Sequence, residues 1–237
     1  NTWSYLGAHT MTEPNPLSEG FEGGSIPDNW TVINNDGNAN SWGAHGNSFY
    51  AHTGDYFARV YLNPQGSDDW LITPRLEIAS GDSIVFWAKS SSNAPADMEG
   101  FYVQVSTTTN NNVAAFTGGT IASVSQASNT WTRYAYALEP YAGQEEVYVA
   151  VQCVTVNGFY LYVDDFSGPQ VWIDDNPVAA LSASAIDYGN TGTGGMSTSF
   201  VISNYGASDL VVSSIAVANA DFSVSSSSAT LIGGGSA

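Results

Sequence analysis

The feature that most limits what this chain can become is the rhythm of its apolar residues. Runs in which Val, Ile, Tyr, Trp or Phe alternate with small polar residues recur along its length, each bounded by Gly, Asn, Asp or Pro. No window of useful length carries a sustained 3.6-residue period with helix caps. A period of two turns one side of each segment to a core and the other to water, so an all-β chain is expected. The pattern predicts strands over 30–33, 56–62, 69–72, 83–88, 101–107, 131–137, 146–156 and 159–166. Strands at this spacing fit a two-sheet sandwich of jelly-roll type.

Charge then excludes whole classes of partner. Only four basic residues, Arg59, Arg75, Lys89 and Arg133, face 22 acidic ones, for a formal charge of -18. Such a chain repels nucleic acid and anionic membranes and suits divalent cations. No stretch approaches the roughly 18 apolar residues of a membrane helix, so neither nucleic-acid binding nor membrane insertion is expected. There is no basic segment at Asn1, so a signal peptide is absent or already removed. Cys153 is the single cysteine; within an alternating run it reads as a small buried hydrophobe. An exported protein without disulfides needs another staple, and calcium is the natural one.

The sharpest local signal is Val154-Thr155-Val156-Asn157-Gly158-Phe159-Tyr160-Leu161. Asn-Gly between two alternating runs predicts a two-residue type I′ hairpin. With Val156 opposite Phe159, one face carries Val154, Val156, Phe159, Leu161, Val163 and Asp165, and the other Cys153, Thr155, Tyr160, Tyr162 and Asp164. The first face is the more apolar and is expected to be the core. Asp165 would then reach the core side, where a carboxylate is costly without a partner and a cation would answer it.

Catalytic chemistry finds little to use. His9, His45 and His52 share no zinc-ligand spacing, no G-x-S-x-G elbow is present, and Gly118-Gly119 has no following Walker lysine. A glycosidase carboxylate pair would have to be assembled in space from Asp55, Asp68, Asp69, Asp97 and Glu99, with no motif to support it. Calcium has better material. The run Asn34-Asn35-Asp36-Gly37-Asn38-Ala39-Asn40 offers alternate side-chain oxygens, Asp36 and Asn38 among them, around a glycine. It lacks the twelfth-position glutamate of an EF-hand, and an Asx-turn loop without an ion is the other reading.

Four segments together carry a resemblance: Leu17-Ser18-Glu19-Gly20-Phe21-Glu22-Gly23-Gly24, Asp36-Gly37-Asn38-Ala39-Asn40-Ser41-Trp42, Asp68-Asp69-Trp70-Leu71-Ile72-Thr73-Pro74 and Phe159-Tyr160-Leu161-Tyr162-Val163-Asp164-Asp165. They resemble the cleaved-adhesin, or choice-of-anchor J, family: jelly-roll modules of bacterial surface proteins and of secreted proteases such as gingipains. The resemblance implies a structural calcium bridging the first and last strands, with Glu22 and Asp165 at the matching positions and Glu19, Asp55 and Asp69 as helpers; ordinary hydrogen-bonded carboxylates are the alternative. Where this family carries D-x-D-G-D-G, the present loop has asparagines, which weakens a site there.

After Phe166 the composition changes through Gly168-Pro169 and the acidic Asp174-Asp175-Asn176-Pro177. The segments Ala185-Ile186-Asp187-Tyr188-Gly189, Ser199-Phe200-Val201-Ile202-Ser203, Asp209-Leu210-Val211-Val212 and Asp221-Phe222-Ser223-Val224 resemble immunoglobulin-like choice-of-anchor D modules. About four or five strands are present where such a sandwich wants about seven. The expected organisation is an N-terminal extension (1–18), a calcium-binding jelly roll (19–170), a linker (171–177) and a smaller, incomplete immunoglobulin-like β-sandwich (178–237).

The reading that follows is a secreted or cell-surface bacterial adhesin segment without enzymatic activity, binding a glycan or protein ligand. The rival is an accessory binding module of a larger secreted protease or glycosidase. Tyr160 and Tyr162 on the outer face of the last strand, with Trp42 and Trp131 near loop ends, are the candidate contact rings. The incomplete C-terminal module has two explanations: the parent chain continues, or residues 1–18, with Trp3, Tyr5 and Leu6, complete a neighbouring subunit and build a homo-oligomeric filament.

Overall fold

The computed structural model describes residues 15–61, 66–156, 158–173, 176–182, 197–206, 208–216 and 221–233. The chain divides into two units, one spanning residues 14–172 and the other holding the described residues from Ile173 onward.

The first unit is built from twelve strands: β1 (Pro16–Glu19), β2 (Thr31–Asn34), β3 (Gly43–Gly46), β4 (Tyr56–Tyr61), β5 (Asp69–Ile72), β6 (Leu76–Glu77), β7 (Ser83–Ser90), β8 (Phe101–Ser106), β9 (Thr120–Val124), β10 (Thr132–Ala137), β11 (Tyr148–Cys153) and β12 (Tyr160–Val171). They form two antiparallel sheets, one of seven strands with the order β10-β7-β12-β4-β3 and β1 and β6 both paired to β12, the other of five in the order β2-β5-β11-β8-β9. Alternation does the work the sequence assigned to it. Ile84, Phe86 and Ala88 of β7 meet Val103 and Val105 of β8 and Leu71 of β5 in one apolar core, while Val85, Trp87 and Lys89 face outward. Phe166 anchors an aromatic group at one side of that core, with Trp30 and Phe86 each 5.0 Å from it and Phe21 at 6.2 Å.

The seven-stranded and five-stranded sheets are finished differently on their outer faces. A short 3-10 turn at Val113–Phe116 caps the five-stranded sheet, laying Phe116 on Trp70, Ile72 and Ala150. The outer face of the seven-stranded sheet has instead the loop of residues 47–55, which brings Tyr50 and His52 over it.

The expected Asn-Gly hairpin does not form. β11 and β12 lie in different sheets, so the connection between them crosses the sandwich. Asn157 is outside the described residues, but Val156 and Phe159 are 53% and 46% exposed rather than buried. The reason is saturation: β11 is already paired on both sides, to β5 and β8, and β12 to β4 and β7, so neither has an edge left for the other. Gly158 answers a different need, because a Cβ there would lie 1.9 Å from Glu99 Oε1.

Asp165 also departs from the expected register. Between Asp164↔Trp87 and Ser167↔Val85, β12 spends one residue more than β7, a β-bulge in which Asp165 takes φ 46°. The extra residue reverses the alternation, so Phe166 enters the core and Asp165 is left half-buried outside it.

Residues 16–18 belong to the sandwich rather than to an extension. Ser18 pairs with Ser167 and Pro16 with Gln170 of the same chain, and Leu17 is buried in the core. Trp3, Tyr5 and Leu6, on which strand exchange would depend, lie outside the described residues.

In the second unit the described strands are β13 (Ala179–Leu181), β14 (Ile202–Asn204), β15 (Leu210–Val212) and β16 (Ala229–Leu231), paired as two two-stranded sheets. Buried Asn204 joins them. Its Nδ2 donates to the Leu231 carbonyl at 3.2 Å and its Oδ1 accepts from the Val178 N–H at 3.0 Å.

Candidate functional site

Sheet register sets the outward residues of the seven-stranded sheet in rows. Tyr162 on β12 stands between Lys89 on β7 and Arg59 on β4; Tyr160 stands beside Tyr61, and Arg133 on β10 beside Trp87. The rings and cations then stack. Tyr160 and Tyr162 are parallel at 5.8 Å, Tyr61 lies 4.7 Å from Tyr160, and the Arg59 guanidinium sits 4.6 Å over Tyr160. Lys89 Nζ lies 4.6 Å from Trp131 and 5.3 Å from Tyr162, and donates to the Tyr50 carbonyl at 2.9 Å. Trp131 Nε1 donates to the same carbonyl at 3.1 Å, which ties the 47–55 loop to the sheet. Burial lowers the Lys89 pKa, and the nearby Asp164 charge opposes that shift. Phe49, 84% exposed, and Tyr50 extend the aromatic surface.

Tyr160 is the wall between two open depressions. One, of about 350 Å³, is lined by Asn40, Ser41, His45, Arg59, Tyr61 and Tyr160 among others; the second, of about 530 Å³, by Ser91, Ser92, Asn93, Asn129, Phe159 and Tyr160. Among the described residues, no carboxylate lines either. An aromatic ring flanked by amides and hydroxyls suits a polar ligand with flat apolar faces.

Of the expected contact rings, Tyr160 and Trp131 are half-buried on this face. Tyr162 is there too, but only 5% exposed, so it supports the others from below. Trp42 is a core residue, its Nε1 donating to the Asp69 carbonyl at 3.0 Å, and offers no ring to a ligand. Tyr50, Phe49, Lys89 and Arg59 complete the face. The alternation of β4 and β7 could have shown the two cations, but the loop residues carry no periodic signal.

The acidic residues separate into two groups. At the junction of β1 and the β12 bulge, Glu22 accepts from the Asp55 and Tyr56 N–H groups at 3.1 Å, and Glu19 accepts from the Phe21 N–H. Burial raises the Glu19 pKa. Asp165 accepts from Thr53 Oγ1 at 2.8 Å and pairs with His52 Nδ1. A Cβ on Gly20 would stand 3.2 Å from Asp165 Oδ1, 3.6 Å from Asp164 Oδ1 and 3.9 Å from Glu22 Cγ, so these three side chains bracket one glycine. Phe21 and Asp165 are the two non-glycine residues at positive φ among the described residues, and both lie here. Strain concentrated at one junction marks a place where the backbone is held by its surroundings. Asp164, which the hairpin register put on the open face, is wholly buried; it accepts from the His52 N–H at 2.8 Å, and burial pushes it up to about 6.

The second group surrounds the Asn34–Asn40 loop. Asp36 Oδ1 accepts from the Asn38 N–H and Nδ2, Asn34 Oδ1 from the Gly37 N–H, and Asn38 Oδ1 from the Asn40 N–H, a chain of Asx turns to which Asp68 adds its N–H on Asp36 Oδ2. Asp69 belongs with this group, not with Glu22 and Asp165. It is fully buried with neither carboxylate oxygen hydrogen-bonded, and burial, then the charges of Asp36 and Asp68, push it up to about 7. Among the described residues no three His, Cys, Asp or Glu side chains already converge as a metal cage. Any cation here would rely on backbone and amide oxygens as well.

Two further buried groups face each other. Glu99 is fully buried with Oε1 unpartnered, and Cys153 Sγ donates to its Oε2 at 3.8 Å. Burial pushes both pKa values up, so the Cys153 thiol is inert, a core residue as its alternating run implied. The five carboxylates considered for glycoside hydrolysis are dispersed: Asp55 lies against Glu22, Asp68 and Asp69 by the Asn34–Asn40 loop, Asp97 in the turn Pro95–Asp97, and Glu99 in the core.

The two-sheet β-sandwich and the aromatic outer face of its seven-stranded sheet are those of a binding module. The chain belongs to the Cleaved Adhesin Domain family, whose model matches residues 15–167. It is 39% identical over 87 residues to Hemagglutinin A of Porphyromonas gingivalis, an alignment covering 31% of this chain and 3% of that protein, and 35% identical over 80 residues to Lys-gingipain W83 of the same organism, covering 30% and 5%. The chain thus spans a small part of these relatives. In fold it is similar to the K1 Cleaved Adhesin domain of Lys-gingipain from Porphyromonas gingivalis W83, with TM-score 0.54, 22% identity, and 66% of this chain and 98% of that one covered. No helix among the described residues is long and apolar enough to cross a membrane.

Proposed function

We propose that this chain is a non-catalytic adhesin module, exported to the cell exterior, that binds a glycan on the outer face of its seven-stranded sheet. One observation carries the reading. The sandwich has one outer face, that of the five-stranded sheet, capped by apolar packing, whereas that of the seven-stranded sheet holds Tyr160 between two open depressions lined by no described carboxylate, with Tyr61, Trp131 and Tyr50 around it. Sugar rings stack on such aromatics while amides and hydroxyls take their hydroxyl groups. A glycan array probed with the intact chain, repeated with Tyr160→Ala, tests it. Binding lost in the variant at an unchanged melting temperature is the expected outcome; binding retained would move the site elsewhere. Likeness to part of Lys-gingipain favours the related reading that the module serves a larger secreted protease, in which case the same face supplies the substrate or surface contact.

Calcium belongs to this proposal as a stabiliser. Among the described residues Asp69 is a buried carboxylate with neither oxygen hydrogen-bonded, and a hard cation satisfied by Asp69 together with oxygens of the Asn34–Asn40 loop fits that want. Glu22, Asp164 and Asp165 form the second candidate, though their oxygens already accept from the 52–56 backbone and side chains. A bound calcium ion would supply positive charge that lets buried Asp69 or Asp164 ionise.

A further inference from the structure

The distribution of positive charge on this molecule is lopsided. The chain has four basic residues against 22 acidic ones, and three of the four, Arg59, Lys89 and Arg133, project from the outer face of the seven-stranded sheet. With carboxylates so abundant, exposed cations would be expected to find partners. Among the described residues none of these three enters a salt bridge; the pairing recorded is His52 with Asp165.

Of the three, Arg59 lines one of the two depressions. Its guanidinium lies over Tyr160, and no carbonyl or carboxylate of a described residue accepts from it. Its neighbour across β3 is Gly43, and a Cβ built there would meet nothing within 4 Å, so the sheet leaves a notch beside the guanidinium. That notch is the depression of about 350 Å³ lined by Asn40, Ser41, His45, Tyr61 and Tyr160. Burial, and next the Arg59 charge, hold the His45 pKa down, so His45 is neutral at pH 7 and brings a hydrogen-bonding ring without a second charge. Five N–H donors in a rigid plane, one ring packed beneath them and an open side form a receptor for a planar anion.

We infer that the glycan bound here is acidic, and that Arg59 reads the carboxylate of a uronic or sialic acid residue while Tyr160 and Tyr61 pack against the sugar rings. This rests on the glycan-binding reading above and narrows it to one ligand class. Charge complementarity decides for an anion. The aromatic, amide and hydroxyl lining on both sides of Tyr160 decides for a sugar over an acidic peptide.

The test is calorimetric titration of the intact chain with tetragalacturonate, a hyaluronan tetrasaccharide and 3′-sialyllactose, each beside its methyl-esterified form, and with hexaglutamate as the peptide arm. At least one acid is expected to bind about 10-fold or more tighter than its ester, the scale of a charge-assisted bidentate hydrogen bond. Arg59→Gln should remove that preference with an unchanged melting temperature. Arg75→Gln, the same loss of charge at a residue that stacks on Trp172 and bonds the Glu145 carbonyl, should keep it. Esters that bind as tightly as acids would overturn this inference and leave the glycan reading intact. Binding of no sugar in either form would overturn both. Hexaglutamate binding more tightly than every sugar, with the same dependence on Arg59, would reassign the face to acidic protein segments.

Discussion

Gly158→Ala, measured alone and with Glu99→Ala, separates two explanations of the Asn157-Gly158 pair. If the glycine serves a tight turn, alanine there costs about 1 kcal/mol through the backbone, whatever stands at position 99. The structure gives another reason: a Cβ at 158 would lie 1.9 Å from Glu99 Oε1, 2.3 Å from Cδ and 2.7 Å from Oε2. A surface carboxylate would swing aside at little cost. Glu99 cannot, because it is fully buried, with Cys153 Sγ donating to its Oε2. Forcing a methyl group into such a site costs about 1–3 kcal/mol in overpacking, and displacing the carboxylate from its donors adds about 1 kcal/mol or more. Gly158→Ala should therefore destabilise the sandwich by about 3 kcal/mol, or on the order of 6–12 °C in melting temperature for a domain of this size. In a Glu99→Ala background the same substitution should cost about 1 kcal/mol or less, leaving a coupling of about 2 kcal/mol. Urea denaturation of the four proteins of the cycle measures it. Additive effects would refute the steric account and restore the turn.

The same structure fixes three other outcomes. In chelator, stability should fall as pH rises from about 4 to about 7, because Asp69 and Asp164 are raised from an ordinary 3.8 to about 7 and about 6: above 3.8 only the folded state keeps each proton, so the stability each contributes is lost progressively up to its folded-state value and no further beyond it. Asp69→Asn should flatten the upper part of that decline; an unchanged profile would mean Asp69 ionises without penalty. Added calcium should raise the melting temperature of the parent protein near neutral pH and do markedly less for Asp69→Asn or Asp165→Ala, whereas identical melting curves in calcium and chelator for all three would remove calcium from the account. Leu17→Ala should cost about 2–4 kcal/mol at any protein concentration, since Leu17 fills its own subunit's core; a concentration-dependent loss would instead point to exchange of this strand between subunits.

What the sequence could tell about this fold depended on whether the signal was local. Alternation in β4, β7, β8 and β10 needs no knowledge of partners, and those strands lie within two residues of where the pattern put them. β1, β3 and β9 escaped because Pro16–Glu19, Gly43–Gly46 and Thr120–Val124 are short and glycine- or serine-containing, held as strands by neighbours that were legible only in the folded chain. Side-chain direction was harder still. One added residue at the β12 bulge exchanged the roles of Asp165 and Phe166, and no period-two argument can detect an insertion of one. The Phe-Glu and Asp-Asp segments did mark a real junction: Glu22, Asp164 and Asp165 meet around Gly20 although more than a hundred residues separate them in the chain.

That junction and the open face are linked through one strand and one loop, which gives the two proposals a common physical basis. β12 carries Tyr160 and Tyr162 at one end and Asp164 and Asp165 at its bulge. The 47–55 loop touches both regions. His52 binds Asp165 through its ring and Asp164 through its N–H while stacking 3.9 Å from Trp87, and Tyr50 accepts from Lys89 and Trp131 through its carbonyl. Whatever fixes the contacts of Asp164 and Asp165 therefore acts on the backbone that places Tyr50 above the rings. The expected consequence is that losing the acidic junction weakens ligand binding without touching a contact residue. Asp165→Asn, which keeps the size of the side chain and removes its charge, should loosen the 47–55 loop, seen as faster amide exchange at Tyr50 and His52, and lower affinity for the bound glycan. A variant with faster exchange and unchanged affinity would show that the loop braces the sandwich only, and that the open face is positioned by the sheet alone.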